Sequence, residues 1–483
     1  MGRNKITEKN KNMDIIHISA ECYPAAKVGG LGDVVGALPK YQTLLGHTAT
    51  VIMPFYHGKF SRENEFTNIF SGFSRLGHTN YAFNVLKLVN NTLGYDLSMI
   101  DIPGLFDREN VYSYQDDTER FITFQIATMN WLNQKEGIPD IVHCHDQQTG
   151  FIPFMMSKVR EYSKFEQVPT VFTIHNGQYQ GQFGFDKLYY LPPFHSYFNG
   201  QVEWNHMINP LASAIKCAWR MTTVSPSYLD EIGYSMKGME ELLRKERSKS
   251  VGILNGIDAD VWNPETDQML EKNYSIKNVD AGKNANKEVL CKQFGLDSSK
   301  PLFTFIGRLV GEKGADLLPE IVYNLSKFNP GEQNFLILGS GEKQIQNALL
   351  HLEHEFKGNY CSYIGYNEKL SHLIYAGADF LLMPSRVEPC GLNQLYALRY
   401  GTVPIVRRTG GLRDTVQDIG DGGFGICHDQ CSIFDVTHSI QRAKSFYKNK
   451  KVYTAIRKKM MQIDHSWNKA ANDYIELYQS LKI

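Results

Sequence analysis

From residue 14 onward the chain alternates short β-rich apolar runs with longer stretches of helical apolar spacing, the pattern of βαβ units around a parallel sheet. In the first half it predicts strands over 15–19, 50–53, 140–143, 170–174 and 221–224, with a helix over 31–45 that Gly46 ends. The alternation then restarts, with strands over 302–306, 335–338, 362–364, 380–383 and 403–406 and helices over 315–328, 344–356 and 392–400. Two α/β domains in tandem are the expected architecture. Between them, residues 256–300 are rich in Asn, Asp, Lys and Pro and carry little apolar period, which places a hinge there. Helical spacing at Ala471, Tyr474, Leu477 and Tyr478 predicts a closing helix. The resulting division is a disordered leader over 1–12, domains over 13–258 and 259–465, and a terminal helix over 466–483.

Size supports two cores, since 483 residues exceed what one usually holds. No stretch approaches the roughly 20 apolar residues of a membrane span, and the polar start lacks a signal-peptide core, leaving Met13 a candidate start. Lys+Arg and Asp+Glu balance at 51 each, which excludes a broad basic field for nucleic acid and requires any anion site to be local. The eight cysteines are scattered, as in a reduced, cytoplasmic protein. Cys427, His428 and Cys431 have no second ligand pair at zinc spacing, so no metal is expected. No fixed-period repeat is present.

Three segments carry anion chemistry. After the first strand comes ECYPAAKVGGLGD, residues 21–33, where Gly29 and Gly30 permit close backbone approach, a helix N-terminus favours an anion, and Lys27 adds a charge. Plain turn packing is the alternative. Gly30, Gly32 and Gly36 give G-x-G-x-x-x-G and the second strand ends without an acid, so the loop fails the dinucleotide fingerprint and disfavours a nicotinamide dehydrogenase. After the strand over 302–306, Arg308 and Lys313 flank a turn and are expected to converge on one diphosphate, unless they are a solvated pair. After the strand over 380–383, Glu388 precedes a helix start whose N–H groups at Gly391 and Leu392 suit phosphate oxygens; a carboxylate capping that helix is the structural alternative.

Read together and in order, KVGG, HNGQYQG (175–181), GRLVGEKG (307–314) and PSRVEPCGLNQLYALRYGTVPIVRRTGGLRDTV (384–416) resemble bacterial glycogen synthases and plant starch synthases, and the likeness runs from about residue 14 to the end. The resemblance implies a GT-B fold, in which two Rossmann-like domains face across a cleft and the C-terminal helix crosses back to the first. It also implies retaining, cofactor- and metal-free transfer of glucose from ADP-glucose to the 4-hydroxyl of an α-1,4-glucan, with UDP-glucose as the alternative donor. By position it implies that Lys27, Gly29 and Gly30 meet the donor phosphates and acceptor, that Arg308 and Lys313 neutralise the diphosphate, and that Tyr366 stacks on the base. Gly391 and Leu392 would bind phosphate, Glu388 would hold the transferred glucose, and His175 and Asp146 would line the opposite wall. Asn255, Cys390, Thr409 and Gly410 complete the implied substrate contacts.

Val28 and Glu312 depart from the family, which often has Thr and Gln there, so a hydroxyl is lost and a negative charge gained near the diphosphate. Many related transferases carry a second Glu eight positions after the first; here Tyr396 stands there, as in glycogen synthases. A retaining glycoside hydrolase needs two carboxylates about 5 Å apart; Asp146 and Glu388 are available, but such an enzyme would have no use for the basic loops. A non-catalytic glucan- or nucleotide-binding protein is the remaining rival, against which the intact Glu388 and both basic loops speak.

Overall fold

The structure is a computed structural model that describes residues 12–108 and 110–481, so the expected leader up to residue 11 lies outside the described residues. The chain forms two compact units. The first runs to Val224 and adds Leu229–Ile253 and the chain from Trp467; the second takes Ser225–Tyr228 and Leu254–Ser466.

In the first unit the strands are β1 (Asp14–Ile18), β2 (Thr48–Pro54), β3 (Phe66–Leu76), β4 (Thr79–Leu88), β5 (Asp96–Asp101), β6 (Ile141–His145), β7 (Thr170–Ile174), a small pair β8 (Glu203–Trp204) and β9 (Met207–Ile208), then β10 (Arg220–Thr223) and β11 (Ser250–Gly252). The large sheet has the order β11-β10-β7-β6-β1-β2-β5-β4-β3. It is parallel except at the β3-β4-β5 edge. All of β6 and β7 is buried, as in central parallel strands covered on both faces, although β6 carries His143 and His145 and β7 carries Thr170 and Thr173. The outer strands β3 and β4 are only partly buried and shift register between Asn68 and Phe70, so their apolar signal is weak and the sequence reading passes over them.

The helix Gly30–Leu44 follows β1 and ends where Gly46 takes a φ of 89°. Its Val34, Leu38 and Tyr41 pack with Ile15, Ile141, Val171 and Ile253. The closing helix Trp467–Gln479 adds Trp467, Ala470, Ala471, Tyr474, Ile475 and Tyr478 to this same core.

The second unit carries six strands, β12 (Leu302–Leu309), β13 (Asn334–Gly341), β14 (Tyr360–Ile364), β15 (Phe380–Met383), β16 (Val403–Arg407) and β17 (Ile426–His428). They form one parallel sheet of order β14-β13-β12-β15-β16-β17. The segment read as a hinge contains a 16-residue helix, Val279–Phe294. Its apolar period is weak because part of its buried face is charged. Lys283 donates to the carbonyls of Tyr375 (3.0 Å), Ala376 (2.9 Å) and Tyr400 (3.2 Å) and to the Thr402 hydroxyl (2.7 Å), and burial drives its pKa well below the ordinary lysine range. Among the described residues no helix is long and apolar enough to cross a membrane.

Candidate active site

In the second sheet the strand order reverses between β12 and β15, and ligands of open α/β sheets bind at the carboxyl ends of strands at such a point. The two loops leaving those ends are bound to each other. The N–H of Arg386 donates to the Glu312 carbonyl at 2.8 Å, and its guanidinium grips both Asp316 oxygens at 2.6 and 2.8 Å and bonds the Gly311 carbonyl. Gly314 turns the first loop with a φ of 68°, and a Cβ there would lie 2.3 Å from the Pro384 carbonyl oxygen. Gly314→Ala is therefore expected to destabilise the second unit by about 1–3 kcal/mol, read as a lower urea midpoint; an unchanged midpoint would show that the loops part freely.

The clasp sets Lys313 on Glu388. The ammonium lies 2.7 and 2.8 Å from the two carboxylate oxygens, and the Ser385 hydroxyl donates to one of them at 3.0 Å. Glu388 is buried and Lys313 partly open. Arg308 is half-exposed and reaches Glu312, 3.7 Å away, so the family departure at 312 supplies a counter-charge to this arginine.

The Gly-rich segments that follow are close-packed. The N–H of Gly411 donates to the Glu388 carbonyl at 3.1 Å, and a Cβ on Gly410 would lie 2.0 Å from that same oxygen. Thr409 is buried at the start of the short helix Gly410–Thr415. Cys390 is buried, and burial pushes its thiol up to about 12 against hydrogen bonds from Asn255, whose own Oδ1 is buried without a partner. Gly391 has a φ of 73° and Leu392 precedes the helix Asn393–Arg399, whose first side chain donates to the Ile306 carbonyl at 2.6 Å. Tyr366, after β14, is 79% exposed. Tyr396 instead stacks on Trp262, with ring centroids 3.8 Å apart.

The first sheet reverses between β1 and β6. Asp146 follows β6 at a φ of 56°, and its carboxylate accepts the N–H of His175, after β7, at 2.7 Å. Burial pushes Asp146 up to about 7 and His175 down to about 3. The loop after β1 differs from the expected anion cradle, because the N–H groups of Val28 (2.5 Å) and Gly29 (3.0 Å) are taken by the Glu21 carboxylate. Tyr112 also donates to Glu21, at 2.7 Å, and burial raises the pKa of that acid. Lys27 pairs with Asp33 at 2.7 Å. The glycines divide by role: a Cβ at Gly36 would lie 2.5 Å from the Tyr23 carbonyl, whereas one at Gly29 or Gly30 meets nothing within 4 Å. Packing requires the former and leaves the latter two facing open space.

Sequence reasoning missed a polar assembly beneath this surface. His17, His143 and His145 lie fully buried with ligating atoms within 4.8 Å of one another. Each ring nitrogen already has a protein partner: His17 meets Gln42 (2.8 Å) and His145 (3.0 Å), His145 meets His175 (3.0 Å), and His143 meets Tyr478 and Thr173 (both 2.6 Å). The register aligns them, His17 opposite His143 and His145 opposite Thr173. The detectable signal was the two-residue spacing of His143 and His145, which puts both on one face of a strand. Glu21 and Ser385 were also passed over, lying inside quoted motifs without an assigned role.

Two family models match the chain: the starch synthase catalytic domain over residues 14–245 and glycosyl transferases group 1 over residues 286–459. A glycogen synthase of Flavobacterium johnsoniae is 56% identical over 466 residues, covering 96% of this chain and 98% of the relative. One of Finegoldia magna is 37% identical, covering 97% and 100%. The solved catalytic domain of starch synthase IV from Arabidopsis thaliana, bound to ADP and acarbose, matches with a TM-score of 0.88 at 33% identity over 98% of this chain and 99% of that one. A sucrose-phosphate synthase of Thermosynechococcus elongatus shares the fold, with a TM-score of 0.64 at 15% identity over 97% and 99%.

Proposed function

The chain belongs to the glycogen and starch synthase family of glycosyltransferases, and from that premise we propose that it transfers glucose from ADP-glucose to the non-reducing 4-hydroxyl of an α-1,4-glucan, in the cytoplasm, with retention at the anomeric carbon. The observation that carries the reading is the Lys313–Glu388 pair at the carboxyl ends of β12 and β15. An ammonium has three donors, so Lys313 can hold Glu388 and still offer an N–H to a phosphate oxygen. Arg308 adds a second cation from the same strand end, while Gly391 and Leu392 contribute backbone N–H groups.

In the reaction the bond from the anomeric carbon to the diphosphate oxygen breaks and its electron pair leaves on ADP. The glucan 4-oxygen bonds to the same face of that carbon, and its proton passes to the departing phosphate oxygen. Negative charge grows on the diphosphate, where Lys313 and Arg308 oppose it, and positive charge grows on the sugar ring, which Glu388 faces. Within the first unit Asp146 holds the backbone of His175, and His175, Lys27, Gly29 and Gly30 are assigned to the glucose and the acceptor. Asn255, Cys390, Thr409 and Gly410 shape the floor beneath Glu388.

Support for the adenine base comes from the ADP-bound starch synthase neighbour. Coupled assays with glycogen and either nucleotide sugar test it: kcat/KM is expected to favour ADP-glucose over UDP-glucose on the order of a hundredfold. Equal rates would overturn the donor assignment. Release of free glucose without nucleoside diphosphate would replace the transferase reading by a hydrolase.

A further inference from the structure

From the buried polar assembly of the first unit we infer that Gln42 sets the tautomer of His175 through a relay of histidines. Gln42 is fully buried on the helix Gly30–Leu44. Its Oε1 lies 2.8 Å from His17 Nε2, and its Nε2 donates to the Tyr478 hydroxyl at 3.3 Å. A carboxamide oxygen only accepts, so Nε2 of His17 carries the proton. Burial depresses His17 to about 4, leaving the ring neutral near pH 7 with a lone pair on Nδ1. That lone pair accepts Nε2–H of His145, 3.0 Å away. His145, also held neutral by burial, accepts Nε2–H of His175 on its own Nδ1 at 3.0 Å.

The other branch runs the same way. The Tyr478 hydroxyl accepts from Gln42 and gives its proton to His143 Nδ1 at 2.6 Å. Nε2–H of His143 then donates to Thr173 Oγ1 at 2.6 Å, whose proton goes on to Thr222 Oγ1 at 2.5 Å. Every hydrogen bond of the relay points in one direction. Turning the Gln42 amide over would reverse all of them and convert the four rings from Nε2–H to Nδ1–H together. A mixed state would set two N–H groups or two lone pairs against each other in a dry core. His175 is thereby left as a defined Nε2–H tautomer with Nδ1 as the acceptor.

This rests on the reading that His175 lines the glucose site. Gln42 and Tyr478 are positioning residues, acting through His175. They sit on the two helices that pack on the sheet from opposite ends of the chain, Gly30–Leu44 and Trp467–Gln479.

The test is the tautomer spectrum of the full chain labelled with ¹⁵N-histidine, in which protonated and bare ring nitrogens differ in shift. The wild type is expected to show four rings that do not titrate around neutrality, all Nε2–H. In Gln42→Glu, recorded above the pH at which the buried carboxyl ionises, the carboxylate accepts from both His17 and Tyr478, so His143 alone should switch to Nδ1–H. Gln42→Met removes donor and acceptor; the His175 signal should split between tautomers and kcat fall on the order of tenfold, and Gln42→Glu, which keeps the acceptor for His17, should regain most of that loss. Mixed or all-Nδ1–H rings in the wild type, an unmoved His143 in Gln42→Glu, or a zinc ion held tightly by His17, His143 and His145 would each overturn the relay. If Gln42→Met fails to fold, the wild-type spectrum alone decides. A full kcat in His175→Ala would instead sink the site reading, whatever the spectrum shows.

Discussion

Replacing Lys313 by alanine is expected to lower kcat by about 10²- to 10³-fold, the cost of removing one preorganised charge from a developing oxyanion. The far-UV spectrum and the glucan KM should hardly change. Glu388→Ala is expected to fall by a similar factor. Because the two side chains position one another at 2.7–2.8 Å, the double variant should be little worse than either single one. Independent contributions would multiply instead, and that result would show that the pair does not act as a unit. Lys313→Arg is not expected to rescue turnover, since a flat guanidinium cannot take the place of a compact ammonium between carboxylate and phosphate. Wild-type turnover in either alanine variant removes these residues from the chemistry.

The second large effect is on stability and lies away from the site. Asp379, buried just before β15, accepts from Lys287 at 2.6 Å, from Arg457 at 2.8 Å and from the Leu302 N–H at 2.9 Å. Lys287 and Arg457 are themselves buried. Asp379→Ala leaves Lys287 without a carboxylate and Arg457 with only Asp280, 3.3 Å away, and unfolding of the second unit is expected to become easier by about 3–5 kcal/mol. Burial alone would raise the Asp379 pKa, but the attraction of Lys287 and Arg457 outweighs it and holds the carboxyl below the ordinary aspartate range. A carboxyl depressed in the folded state contributes stability that is present above its unfolded pKa and lost as pH falls through the folded value. Wild-type denaturant midpoints should therefore drop in strong acid more steeply than those of the variant. Parallel acid profiles would mean that Asp379 carries no net ionic stabilisation.

How far the fold was legible depended on where polar groups went. The buried strand β15 was readable because its four residues, Phe380–Met383, form an unbroken apolar run, and β7 because β-branched and aromatic residues fill it. The β3–β4 hairpin was not, since half-exposed strands with a register shift give no sustained alternation. The helix Val279–Phe294 was hidden by Lys283 and Lys287, which a periodicity argument assigns to solvent and tertiary partners hold inside. At the site, the approach of Lys313 to Glu388 spans 75 residues of sequence; residue types named both members, but only the clasp of Arg386 on Gly311 and Asp316 brings them together. The same applies to Glu21, whose grip on Val28 and Gly29 turns the N–H of one expected anion contact, Gly29, inward.

The helix Trp467–Gln479 completes a core begun by Met13 and Ile15. Translation therefore imposes a delay. The entire second unit must leave the ribosome before the first can bury the faces of Val34, Leu38 and Tyr41. At roughly 5–20 residues per second, that interval lasts tens of seconds, during which apolar surface of the earlier-made unit stands open to chaperones. A released chain ending before Trp467 should accordingly be cut by protease in its first unit while its second resists.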